Sequence, residues 1–160
     1  MKVYVFDTCA LLNHYQFPKQ TPQIGHIFEK IRDGEAIAYI PQFCVSETIY
    51  VLFKLEKQGK ISSLQRKNYI ETLIEHIRQR KLLYCYDLHR YHNFNLEEIL
   101  MSLGKDMEFM GTIDYLILAV AKELSRLYIG YKVTIVSSDG PLTNLVKNKF
   151  PEFKTISVKL

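Results

Sequence analysis

The sequence predicts an α/β fold, a three-layer α/β/α sandwich with a mainly parallel central sheet. Short apolar, β-branched runs alternate along the chain with segments of helical periodicity, and helix start and stop residues bracket those segments. The 160 residues, 48% hydrophobic and 24% charged, suit one globular domain over 1–160 whose core needs no disulfide or structural metal.

Lys2 to Phe6 is a short apolar run closed by Asp7, the pattern of a buried strand with a carboxylate at its C-terminal end. Thr8 to Tyr15 reads as a short helix or turn. Thr21-Pro22 forms an N-cap with proline at the first helical position; Ile24, Ile27, Phe28 and Ile31 then recur at helical spacing until Asp33-Gly34. A second strand is expected over Ala36 to Ile40. Pro41 restarts the chain into a helix carrying Val45, Ile49, Leu52 and Phe53 and ending near Gly59.

Ser62 or Ser63 caps a third long helix with an apolar stripe of Ile70, Leu73, Ile74 and Ile77, while Arg78, Arg80 and Lys81 suit its negative C-terminal end. Leu82 to Tyr86 is the third expected strand. After a stretch rich in aromatics and histidine, Asn95 is a candidate cap for a helix through Leu96, Ile99, Leu100 and Leu103, stopped by Gly104. Thr112 opens the helix with the clearest periodicity, Ile113, Leu116, Ile117, Val120, Ala121 and Leu124, which ends near Gly130. Lys132 to Val136 is a β-branched strand, Pro141 starts a short helix, and Lys154 to Val158 closes the sheet.

Several function classes drop out on sequence grounds. No apolar run approaches the roughly 18 residues of a membrane span. Cys9, Cys44 and Cys85 show no zinc-ligand spacing; as an odd set of free thiols with apolar neighbours, they are expected to be buried and point to a reducing, cytoplasmic setting. GxxxxGK[ST], GxGxxG and GxSxG motifs are all absent. The net charge of +4 and pI near 8.9 are compatible with a polyanionic partner without requiring one.

Ligands of open parallel sheets sit beyond the carboxyl ends of the strands. Asp7 follows the first strand, Glu47 lies early in the helix after the second, Asp114 opens the helix before the fourth, and Asp139 follows the fourth. Singly, each has a structural explanation: a turn, a helix N-terminus or an exposed helix position. Together they bring four carboxylates to one edge, where mutual repulsion favours a neutralising divalent cation. Mg²⁺ or Mn²⁺ suits an all-oxygen site, and the chemistry it supports is phosphodiester hydrolysis by an activated water.

At these residues the chain resembles the PIN domain family, including the VapC-like toxins of bacterial and archaeal toxin-antitoxin systems. The resemblance is carried by Val5-Phe6-Asp7-Thr8, Val45-Ser46-Glu47, Thr112-Ile113-Asp114-Tyr115-Leu116-Ile117-Leu118-Ala119-Val120-Ala121 and Val136-Ser137-Ser138-Asp139, in family order across nearly the whole chain. It implies a PIN-like fold in which Asp7, Glu47, Asp114 and Asp139 are the catalytic, metal-holding acids. Ser137 takes the place of a supporting hydroxyl residue that is more commonly threonine, and Thr8 is a weaker candidate for support at the first acid. The resemblance further implies cleavage of RNA with Mg²⁺ or Mn²⁺, a homodimer and, in the toxin branch, an antitoxin protein. The long stretch between Glu47 and Asp114 departs from the family pattern.

The five histidines, His14, His26, His76, His89 and His92, offer no metal spacing joined to a nearby acid, apart from the loose pair His89 and His92. Tyr86, His89, Arg90, Tyr91, His92 and Phe94 suit either packing against helices or contact with single-stranded RNA. Lys54, Lys57 and Lys60, like Arg78, Arg80 and Lys81, suit either solvent-facing helix ends or guidance of RNA. An endoribonuclease is the leading function. A DNA nuclease and a non-catalytic interaction module built on the same fold are the alternatives.

Overall fold

The computed structural model describes residues 1–16, 18–79, 82–104 and 111–158. Arg80 and Lys81 therefore lie outside the described residues, as do the side chains of Arg90, Tyr91 and His92. Five strands form one sheet, β1 (Lys2–Phe6), β2 (Ala36–Pro41), β3 (Tyr84–Tyr86), β4 (Val133–Ser137) and β5 (Lys154–Ser157), in the order β3-β2-β1-β4-β5. Every pairing is parallel. Central β1 is flanked on both sides, with Val3 opposite Ile37 on β2 and Val133 on β4. Its edges are thus paired, and helices packed on both faces of the sheet explain the unbroken apolar run Val3 to Phe6, all four of whose side chains are buried.

The helices are α1 (Thr8–Gln16), α2 (Pro22–Arg32), α3 (Gln42–Lys57), α4 (Ser63–Arg78), α5 (Arg90–Leu103), α6 (Thr112–Leu127) and α7 (Gly140–Lys149). From β1 the chain steps outward to β2 and β3, then returns past β1 to β4 and continues to β5. Because parallel crossovers are right-handed, this reversal sends α5, α6 and α7 to the face opposite α2 and α3. Accordingly α2 and α3 pack on β2, α6 packs on β4 and β1, and α7 packs on β4 and β5. The three layers are those expected from the alternation of elements.

Boundary signals act locally in most places. Ser62 accepts a hydrogen bond from the Gln65 backbone N–H while Gln65 Oε1 accepts from Ser62 N, a complete capping box. Gly34 and Gly59 end α2 and α3 with φ of 74° and 70°, values an L side chain resists. Tertiary contacts override the signal at two positions. Thr21 precedes α2 but makes no side-chain cap; its hydroxyl lies 3.2 Å from His14 Nδ1 instead. Asn95 is no cap either, because α5 already begins at Arg90. Fully buried, it donates to Glu123 Oε2 and accepts from Arg126, tying α5 to α6.

The third strand is shorter than the apolar run suggests, since ladder pairing with β2 begins only at Tyr39 and Tyr84. On α3 the inward residues are Cys44, Thr48 and Leu52, whereas Tyr50 and Phe53 face out at 68% and 49% exposure. Of the three thiols only Cys44 is buried; Cys9 and Cys85 are exposed, contrary to the expectation of buried cysteines.

Candidate active site

Chain reversal between β3 and β4 leaves β1 and β4 as neighbours whose connections depart in opposite directions, opening a crevice beyond their carboxyl ends. Asp7 is the first residue past β1, and its backbone N–H donates to Val136 O at 3.0 Å, which holds it against β4. Its side chain is 4% exposed. Ser137, the fully buried last residue of β4, donates its hydroxyl to Asp7 Oδ2 at 2.6 Å. The same Oγ accepts from Asp139 N at 2.9 Å, so one hydroxyl couples two of the acids.

Asp139 caps α7, with Oδ1 accepting from Leu142 N at 2.8 Å. Asp114 occupies the third position of α6, and its Oδ2 accepts from Gly111 N at 3.0 Å. Glu47 enters from the second turn of α3, and its Oε2 accepts from Thr8 Oγ1 at 2.6 Å. Thr8 therefore supports Glu47 through its hydroxyl rather than Asp7, to which it offers only its backbone N–H. These bonds are the structural roles that each acid could have filled singly. They also fix the orientation of the carboxylates, as supporting partners of metal ligands do.

All four predicted acids line one open cleft of about 420 Å³, together with Cys9, Gly111, Thr112 and Ile113. Burial, then the negative charges of Asp114 and Glu47, push Asp7 up to about 6 against the opposing hydrogen bonds from Ser137 and Thr8. Asp114 is also raised, by burial and by the charges of Asp139 and Glu47. Among the described residues, no Lys, Arg or His forms an ion pair with any of the four. Negative charge thus accumulates at the strand ends without a counter-charge among the described residues.

The donor set is hard oxygen, as Mg²⁺ and Mn²⁺ prefer. Among the described residues, no three His, Cys, Asp or Glu side chains close on a common point as a dehydrated metal cage would require. Such an arrangement leaves only an ion that keeps its waters, as Mg²⁺ typically does while taking one or two carboxylates directly. It does not fit a tight tetrahedral zinc site.

Cys9, read from the sequence only as a buried thiol, and Thr112, read only as a helix start, also line the cleft, because each lies next to an element boundary that places an acid. Burial and the charges of Asp7 and Glu47 push the Cys9 thiol up to about 11, so it stays protonated and a poor soft-metal ligand at neutral pH. In the aromatic stretch, Tyr86 packs edge-on against Tyr39 at 5.7 Å and its hydroxyl lies 3.3 Å from His89 Nε2, which favours packing there. Phe94 is 63% exposed.

Neither a family model nor a curated protein matches the sequence. Solved structures do match. A chain from the crystal structure of VapBC2 from Rickettsia felis bound to a DNA fragment from their promoter superposes with a TM-score of 0.68 at 13% identity, covering 98% of this chain and 99% of that one. A chain of VapBC-1 from nontypeable Haemophilus influenzae gives a TM-score of 0.63 at 15% identity, covering 97% of each. At such identities the likeness establishes the fold, and the fold is PIN-like.

Proposed function

We propose that the chain is a metal-dependent endoribonuclease of the PIN domain family that hydrolyses RNA phosphodiester bonds, acting as the toxin of a toxin-antitoxin pair. The observation that carries this reading is the convergence of Asp7, Glu47, Asp114 and Asp139 on one cleft at the sheet's switch point, where no cation among the described residues pairs with them. The VapBC neighbours support the toxin assignment and, with it, an antitoxin protein partner; a homodimer and a cytoplasmic setting complete the reading. Among the described residues no helix is long and apolar enough to cross a membrane.

In this reading Asp7, Glu47, Asp114 and Asp139 hold Mg²⁺ or Mn²⁺, which when bound supplies Lewis-acid stabilisation of the phosphate and a water of lowered pKa. Ser137 and Thr8 keep Asp7 and Glu47 aimed into the cleft. The N-termini of α6 and α7 open at the same edge as Asp114 and Asp139, and their positive dipole ends favour both the carboxylates and an entering phosphate. Burial of Asp7 lowers the local dielectric and strengthens each of these interactions.

A second reading rests on a separate observation: each acid already has a local hydrogen-bonding role, and no three side chains enclose an ion among the described residues. That favours a non-catalytic module of the same fold. Incubation of a mixed RNA pool, with DNA in parallel, separates the possibilities. The ribonuclease reading expects RNA cleavage by the native chain in Mn²⁺ or Mg²⁺, none in EDTA, and loss of at least a hundredfold in Asp114→Asn, about the cost of removing a key electrostatic group. Equal cleavage by native and mutant chains would refute the assigned site.

A further inference from the structure

The outer face of α3 carries a second arrangement. Tyr50, Phe53, Lys54 and Lys57 stand at i, i+3, i+4 and i+7, so they share one face of the helix. All four are exposed, and with Glu56 they line a shallow groove of about 650 Å³. Glu47 lies three residues before Tyr50 on adjoining turns of the same helix. At the axial rise of an α-helix, Tyr50 follows Glu47 by ~4.5 Å, Lys54 by ~10 Å and Lys57 by ~15 Å.

Charge in the groove is net positive. Glu56 is neutralised by Arg66, whose Nε lies 2.5 Å from its carboxylate. The Arg66 guanidinium also sits 4.2 Å from the Phe53 ring centroid, a cation–π contact. Lys54 and Lys57 make no ion pair among the described residues. An acidic cleft repels a polyanion, so a nucleic-acid substrate needs cations beside it. This face supplies two, together with an open tyrosine ring for a base to stack on.

We infer that the outer face of α3 is the track along which single-stranded RNA enters the proposed active site, with a base stacked on Tyr50 and backbone phosphates at Lys54 and Lys57. The inference rests on the ribonuclease reading for the destination of that strand. Its ligand class follows from the combination of an exposed aromatic ring with two lysines that make no ion pair among the described residues, a combination that binds single strands without base-specific hydrogen bonds. A duplex would leave its stacked bases out of reach of Tyr50.

Fluorescence anisotropy with a labelled 12-nucleotide polyuridine in EDTA reads binding without cleavage. Tyr50→Ala is expected to weaken binding by about five- to a hundredfold. The double variant Lys54→Ala/Lys57→Ala is expected to lower the slope of log K against log salt by about 1.4, the share of two phosphate contacts on a single strand. Lys132→Ala/Lys147→Ala, with the same charge change at exposed sites away from α3, serves as control and leaves the slope nearer that of the native chain. Thermal melting verifies that each variant is folded.

If the α3 variants bind RNA as the control pair does while the native chain cleaves RNA, the track is wrong and the nuclease reading survives. That outcome is also expected if a protein partner, rather than RNA, covers Tyr50 and Phe53. RNA binding lost on the α3 variants in a chain that never cleaves would uphold α3 as an RNA-binding face and overturn both the nuclease and the destination assigned to the strand. No binding and no cleavage by the native chain would overturn both.

Discussion

Asp7 shows at the scale of one residue what the fold does to a carboxyl group. It is buried at a strand end, faces two other acids, and retains only the Ser137 hydroxyl and a backbone N–H as compensation, so its pKa stands at about 6 instead of the usual 3.8. A raised carboxyl pKa means that the native state holds the proton more tightly than the unfolded chain. The metal-free protein is therefore most stable, as far as Asp7 is concerned, below about pH 4, and loses that contribution as pH rises through about 6. A shift of this size corresponds to on the order of 2–3 kcal/mol. Asp7→Asn keeps an oxygen for Ser137 to donate to and removes the charge. In EDTA, its melting temperature should exceed that of the native chain at pH 7.5 and converge with it at pH 4. Parallel pH profiles for the two chains would show that Asp7 ionises without penalty.

Elements are joined by polar as well as apolar contacts, and Asn95 is the clearest case. The residue type and its place ahead of an apolar series suggested a helix cap. Helix α5 instead runs through it, and the side chain bridges to Glu123 and Arg126 on α6. Neither partner could be inferred from local sequence, because each lies about 30 residues away, at separations of 28 and 31. Asn95→Ala should destabilise the protein by about 1–3 kcal/mol, since the Glu123 carboxylate and the Arg126 guanidinium lose a buried partner. Urea denaturation would reveal this as a lower midpoint with unchanged slope. Hydrogen exchange should speed up in α5 before the central strands. By contrast, α3 and α4 meet largely at the surface, where Leu73 is the buried side chain of α4 and Ile74 stays 47% exposed. The apolar stripe read from α4 identified a helix correctly but overstated how much of it the core would take.

For the whole molecule, the proposed metal-holding role of the acids gathered at the switch point predicts linkage between metal, protons and stability. A divalent ion that binds only the folded chain stabilises it by about 2.7 kcal/mol at a hundredfold excess over Kd. Mn²⁺ should therefore raise the melting temperature at pH 7.5. The rise should shrink at pH 5, where Asp7 is largely protonated and competes with the ion. Asp114→Asn should diminish it at both pH values. A calorimetric scan unchanged by millimolar Mn²⁺ at pH 7.5 would favour the non-catalytic module.

The sequence by itself determined the alternation of elements, because strand and helix periodicities and their capping residues are local properties of the chain. It also placed the four acids at the right ends of those elements, which parallel topology sends to one edge. Tertiary structure alone decided the rest: that β4 lies against β1, that the Ser137 hydroxyl joins Asp7 to Asp139, and that Thr8 serves Glu47. The physical reason is separation along the chain. Asp7 and Ser137 are 130 residues apart, and no local preference encodes a hydrogen bond that exists only after the sheet has closed the distance.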